Sequence, residues 1–185
     1  MLVHELVERL RRAVNVPEVQ DRLIKDRRLW RQLCSAMDVM EDTETAIASY
    51  RSSAPLQDIG SLYLLAYGLL QVLFVQQDAV KHATEAAGLD DYEFPEDVLA
   101  IRDVRNRAIG HPTKREKRVT GGGKKLESFG IMQMSLSHEG FILYSFDWDR
   151  PDAVQRIRFE ELIAAQSKAV AQAIEQMIRH LKTAR

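Results

Sequence analysis

The stretch Arg102-Asp103-Val104-Arg105-Asn106-Arg107-Ala108-Ile109-Gly110-His111-Pro112 reads as the end of a helix and the break after it. At about 100° per residue, Val98, Ile101, Ala108 and Ile109 fall on one side of that helix. Arg105 projects from the middle of the apolar stripe, and Arg107 points the other way, toward solvent. An arginine on a packing face is costly unless a carboxylate or phosphate meets it. Gly110 and Pro112 are helix-stop residues, with His111 between them at the break. The pattern places a fixed cation and a titratable imidazole close together where a helix ends.

Outward from this stretch the sequence reads as a helical domain. Residues 2–13 form a short amphipathic helix, and Asn15-Val16-Pro17 marks a break and restart. From Glu18 to about Tyr50 the apolar spacing predicts one long helix, bent near Glu41-Asp42-Thr43, that ends at Ser52-Ser53-Ala54-Pro55. Asp58 or Ser61 caps a second long helix running to about Ala87, with Gly88 as its stop. Its first half is apolar almost all round, so it is expected to be the most buried helix. Pro95, Glu96 and Asp97 start the helix that carries the motif.

After His111 the composition changes. Thr113 to Lys125 is basic and contains Gly121-Gly122-Gly123, which predicts a flexible loop. Phe129–Leu136 and Phe141–Phe146 are rich in β-formers around the turn-like Ser137-His138-Glu139-Gly140, which predicts a β-hairpin. Ile142, Tyr144, Phe146 and Trp148 alternate onto one face, which is expected to cover something apolar. Asp149-Arg150-Pro151-Asp152 breaks the chain, and about Phe159 to Leu181 forms a last amphipathic helix. The expected fold class is all-α: a four-helix bundle with a short N-terminal helix and a β-hairpin inserted before the last helix. Residues 1–185 form a single domain, with the basic loop and hairpin at about 113–148.

Composition narrows the function classes. The chain has 185 residues, 45% apolar and 29% charged, with a net charge of −1. That is an ordinary globular balance with no global pull toward nucleic acid. Between Arg102 and Lys125, however, arginines and lysines far outnumber the acids Asp103 and Glu116. Such a run is either a solvated loop or a local patch for a polyanion. The single cysteine, Cys34, excludes an internal disulfide and reads as an inert core thiol. No signal peptide is evident, and a cytoplasmic location is expected. Leu62 to Val75 is the most apolar segment but is too short to span a bilayer, so no membrane association is expected. There is no H-E-x-x-H, Walker loop or G-x-G-x-x-G, so neither metal nor cofactor is expected.

Arg105-Asn106, four residues, then His111-Pro112 resembles the R-N-x-x-x-x-H signature of HEPN-type proteins. Tyr67-Gly68-Leu69-Leu70-Gln71 through Gln76-Gln77-Asp78, on a long helix ahead of the motif, is part of the resemblance. In all it covers roughly residues 17–112 plus a closing helix. HEPN domains are small helical bundles, and many are metal-independent ribonucleases of toxin–antitoxin and antiviral systems. The resemblance implies a homodimer in which two motifs face one cleft, with RNA as substrate and an antitoxin or regulatory protein as a further partner.

Arg105, Asn106 and His111 are the candidate catalytic residues. An imidazole with an ordinary pKa of about 6.5 serves proton transfer near neutrality. A guanidinium fork grips two phosphate oxygens at once, and Asn106 bonds the phosphate or orients His111. Arg102, Lys114 and Arg115 are candidates for substrate binding, with Asp78 in support. The same residues allow another reading, in which Arg105 is a buried ion pair with Asp78 and His111 caps a helix C-terminus. Functionally, the alternatives are a non-catalytic helical module that binds RNA, nucleotide or a partner protein, and a scaffold using the aromatic face of the hairpin.

Overall fold

The computed structural model describes the backbone of residues 3–110, 115–118, 124–147 and 150–183. The chain is mostly helical with one small antiparallel sheet. Helices α1 (Val3–Val14), α2 (Pro17–Leu23), α3 (Arg27–Ser52), α4 (Ile59–Ala86) and α5 (Glu96–Arg105) come first. A single π-helical turn, Asn106–Gly110, extends α5. Strands β1 (Arg115–Arg118), β2 (Lys124–Ile131), β3 (Gly140–Asp147) and β4 (Arg150–Arg158) come next, and α6 (Phe159–Thr183) closes the chain.

Several boundaries have direct local causes. Pro17 opens α2 at its first position. The Asp58 carboxylate accepts from Ser61 N at 2.8 Å and caps α4. Gly88, at φ 84°, ends that helix in a conformation glycine adopts without cost. The segment expected as one helix from Glu18 to Tyr50 is instead divided. Asp26 takes an extended conformation and accepts from Arg28 N and Leu29 N, restarting the chain as α3. Helix α3 continues unbroken through Glu41-Asp42-Thr43, where the Thr43 hydroxyl donates back to Val39 O and Met40 O. Helix α4 lies close to the expected bounds, and its 28 residues are long and apolar enough, by length and composition alone, to cross a membrane. Here it packs against α3, α5 and α6.

The interior forms two apolar compartments. One gathers α1, the first half of α3, the second half of α4 and the second half of α6, around Leu10, Leu33, Met40, Val80 and Ile174. The other gathers the first half of α4, α5, the sheet and the start of α6, around Leu70, Leu73, Ile101, Leu143 and Phe159. Gln76, Gln77 and Gln166, all fully buried, lie between them. Gln77 Nε2 donates to Val98 O at 3.0 Å and to Gln166 Oε1 at 2.8 Å. Gln166 Nε2 donates to Leu73 O at 2.9 Å and to Gln76 Oε1 at 2.7 Å. Gln76 Nε2 donates to Glu44 Oε1 at 2.6 Å. The side-chain bonds run in one direction, from Gln77 through Gln166 and Gln76 to Glu44, and fix the orientation of each amide. Buried amides are tolerated only when paired in this way.

Glu44, at the end of the chain of amides, has its pKa raised from the ordinary 4.5, chiefly by burial, against the opposing bond from Gln76. A carboxyl whose folded pKa exceeds its unfolded one favours folding below the unfolded value, and that support is lost as pH rises through the folded pKa. Glu44→Gln retains an acceptor for Gln76. It is therefore expected to raise Tm at about pH 7, with the gap closing toward about pH 4. Thermal melts across that range check it, and equal Tm shifts at both ends would refute the assignment.

The sheet is a four-stranded meander in the order β1-β2-β3-β4, all antiparallel, rather than a two-stranded hairpin. The basic segment expected as a loop contributes β1 and the start of β2, with Arg115 paired to Glu127. The expected break at 149–152 gives way to β4, which begins at Arg150 beside Asp147. Pro151 is accommodated because β4 is an edge strand, where a missing donor is tolerated. Gly140, at φ 154°, has no room for a side chain, since a Cβ would lie 2.0 Å from Ile157 O. The face that packs on the helices carries Phe129, Phe141, Leu143 and Ile157. Ile142, Tyr144 and Phe146, expected to cover the core, look outward instead. Both faces of β3 are apolar, and Phe159 and Phe141 in contact decide which one turns inward. Trp148 lies outside the described residues.

Candidate active site

The three arginines at the end of α5 meet three different fates. Arg102 Nη2 lies 2.6 Å from Asp78 Oδ1 on α4, so its charge is neutralised there. Arg107 Nε lies 2.8 Å from Asp103 Oδ2, and its Nη2 donates to Gln155 Oε1 on β4 at 2.9 Å. The expectation that Arg107 points to solvent is corrected. The π-helical turn at Asn106–Gly110 carries one residue more than an α-turn and changes the helical phase locally, so Arg107 swings over the Phe129 ring of the sheet, 5.7 Å from its centroid. Among the described residues, Arg105 has only neutral partners. Its Nε and Nη2 donate to Gln71 Oε1 at 3.2 and 2.9 Å, and its Nη1 donates to Asn106 Oδ1 at 3.0 Å.

Asp78 thus supports Arg102 and not Arg105, which corrects the ion pair considered from the sequence. No carboxylate among the described residues lies within ion-pair distance of Arg105. The Arg102 and Arg105 guanidinium carbons both sit over the Phe74 ring, 4.4 and 4.6 Å from its centroid. Each such contact is worth about 0.5–1 kcal/mol at a partly exposed site. They hold two cations side by side, of which Arg102 has a carboxylate partner and Arg105 has none among the described residues.

Gly110 has a role that its reading as a helix stop does not capture. Its backbone does not enter the left-handed region; among the described glycines only Gly88 and Gly140 have positive φ. A Cβ at Gly110 would stand 3.2 Å from Arg105 Nη1 and 3.5 Å from Asn106 Oδ1. The missing side chain therefore leaves room for the guanidinium to lie against the backbone there. Gln71 and Phe74 are site residues that sequence reasoning missed. The available signal was spacing: Gln71, Phe74 and Asp78 lie at i, i+3 and i+7 on one face of α4, with Gln71 the polar break in the apolar run.

No family model matches this chain. Neither a curated protein nor a solved structure matches it. The site therefore rests on its own chemistry. Arg105 and Asn106 are brought together and held against α4; His111 and Lys114 lie outside the described residues. Arg115 begins β1, and its side chain lies outside the described set. The other candidates are quieter. His82 is exposed and unpaired with Asp78, which Arg102 occupies. Cys34 is half-buried, with its thiol pKa raised by burial and then by the charge of Asp38, so it stays protonated and non-nucleophilic. No group of three metal-ligating side chains occurs among the described residues.

Proposed function

We propose that this chain is a HEPN-type, metal-independent endoribonuclease whose helical core, α3 to α6, is the four-helix bundle of that family. The observation that carries the reading is the Arg105 guanidinium, held in a fixed pose by neutral acceptors with no carboxylate beside it among the described residues. An arginine kept for structure is cheapest beside a carboxylate, as Arg102 and Arg107 are. An arginine kept for a phosphate needs positioning without neutralisation.

His111 stands at the chain position expected for the proton-transfer group. It removes the 2′-OH proton, the resulting oxyanion attacks the adjacent phosphorus, and Arg105 stabilises the charge on the non-bridging oxygens. The 5′-oxygen leaves with a proton from His111 of the partner subunit. The products are a 2′,3′-cyclic phosphate and a 5′-hydroxyl end. Asn106 steadies Arg105 through its carbonyl oxygen, which leaves its amide N–H groups to face the phosphate or His111.

A dimer is supported by an exposed apolar stripe on α4. Leu64 is 75% exposed, Tyr67 is exposed, and Gly68 opens onto free space, one turn before Gln71. A second copy seated there brings two Arg105 groups toward one groove. A cytoplasmic toxin or defence effector, restrained by an antitoxin or regulatory protein, is the setting this reading implies. The test is incubation of end-labelled RNA with purified protein in a metal chelator. Cleavage to cyclic-phosphate ends that His111→Ala abolishes is the expected result. RNA bound by both proteins and cut by neither would instead identify a non-catalytic binding module.

A further inference from the structure

The outward face of the sheet carries a second surface, on the side away from Arg105. Register places Tyr144 between Gly130 of β2 and Val154 of β4, Phe146 beside Ser128, and Ile142 beside Arg156. Phe146 is 50% exposed and Val154 69% exposed. Tyr144 lies across Gly130 so closely that a Cβ there would fall 2.2 Å from its hydroxyl. The Tyr144 and Phe146 rings meet edge to face, with centroids 5.1 Å apart. That arrangement does not use up both flat sides of either ring. Arg156 and Arg158 are exposed and flank this column. Arg156 has no acidic partner among the described residues, and Arg158 reaches Glu161 only at 3.8 Å, on the surface.

We infer that this face, built from Tyr144, Phe146, Arg156 and Arg158, is a docking platform for single-stranded nucleic acid. A single strand offers both things the face lacks: flat bases to stack on exposed rings, and an anionic backbone for the arginines. A duplex hides its bases and satisfies only the arginines. A protein partner of apolar character would leave Arg156 covered and uncompensated. Binding here does not depend on catalysis at Arg105, because it uses the opposite side of the sheet.

The test uses DNA, which has no 2′-OH and is not cut, so its outcome is separate from that of the nuclease assay. Fluorescence anisotropy with a labelled oligothymidine of about sixteen nucleotides is compared with a duplex of equal length. The single strand is expected to bind more tightly than the duplex. Phe146→Ala is expected to weaken it about fivefold or more, and Phe146→Trp to retain it. Gly130→Ala, which displaces Tyr144, weakens it independently of Phe146. Arg156→Gln is expected to flatten the salt dependence by about 0.7 in log–log slope. Absent binding, or Phe146→Ala binding as tightly as the wild type, overturns the inference. A concentration-dependent dimer that Phe146→Ala dissolves also overturns it, by placing a second copy on the face.

Discussion

Gln166→Leu is expected to destabilise the protein by about 2–5 kcal/mol, although it replaces a polar core residue with an apolar one of similar size. The cost lies in the partners it strands. Gln77 Nε2 loses one of its two acceptors and Gln76 Oε1 loses its donor, both in an interior without access to water. Each unsatisfied group costs about 1–3 kcal/mol. For a chain of this size the loss corresponds to a fall in Tm of about 5–15 °C. Gln77 already has one buried oxygen, Oε1, without a partner, so this layer has no slack to absorb another. Chemical denaturation compares the variant with wild type. A change below about 0.5 kcal/mol would mean that the three amides do not act as a connected set.

On the proposed endoribonuclease reading, Arg105→Ala is expected to lower kcat/KM for RNA cleavage by about 10²–10³, the usual cost of losing a donor aimed at developing charge. Arg105→Lys is expected to recover little, because an ammonium cannot reproduce the fork that Gln71 and Asn106 align. Gln71→Leu separates positioning from charge. It leaves the cation in place but removes the acceptor for two of its N–H groups, and is expected to cost roughly tenfold, mainly in kcat. Single-turnover kinetics on labelled RNA, with circular dichroism to confirm folding, read these effects. Arg105→Ala cutting at the wild-type rate while remaining folded would remove the guanidinium from the mechanism.

Residues that act locally, by φ restriction or by capping a helix end, were the legible part of the fold. Pro17, Asp58, Gly88 and Pro95 set helix boundaries close to the expected positions, because capping and φ restriction are local effects. The break at Asp26 was masked by apolar spacing that continues from Leu23 to Trp30 across it. Strands β1 and β4 are charged or proline-containing, and they exist through pairing to neighbours rather than through their own propensity. The inward face of β3 was not decidable from alternation, since Phe141 and Leu143 are as apolar as Ile142, Tyr144 and Phe146. Tertiary packing against Phe159 settles it.

The site was legible in part for a related reason. Arg105 on a packing face signalled a need for a carboxylate or phosphate, and the structure sets the neutral amide of Gln71 there instead. Which acid pairs with which arginine was not readable, because Arg102 and Arg105 both approach α4 near Asp78 and only the side-chain geometry separates them. The π-helical turn lay beyond any periodicity argument, which assumes a constant turn, and it alone redirects Arg107.

The division of the interior by three glutamines makes the two halves of the molecule separately accountable. Replacements at Met40 and at Phe159 fall in different compartments, so their costs add rather than compound. The compartment beside Arg105 can thereby open locally while the interior that α1 shares with the end of α6 keeps the chain anchored.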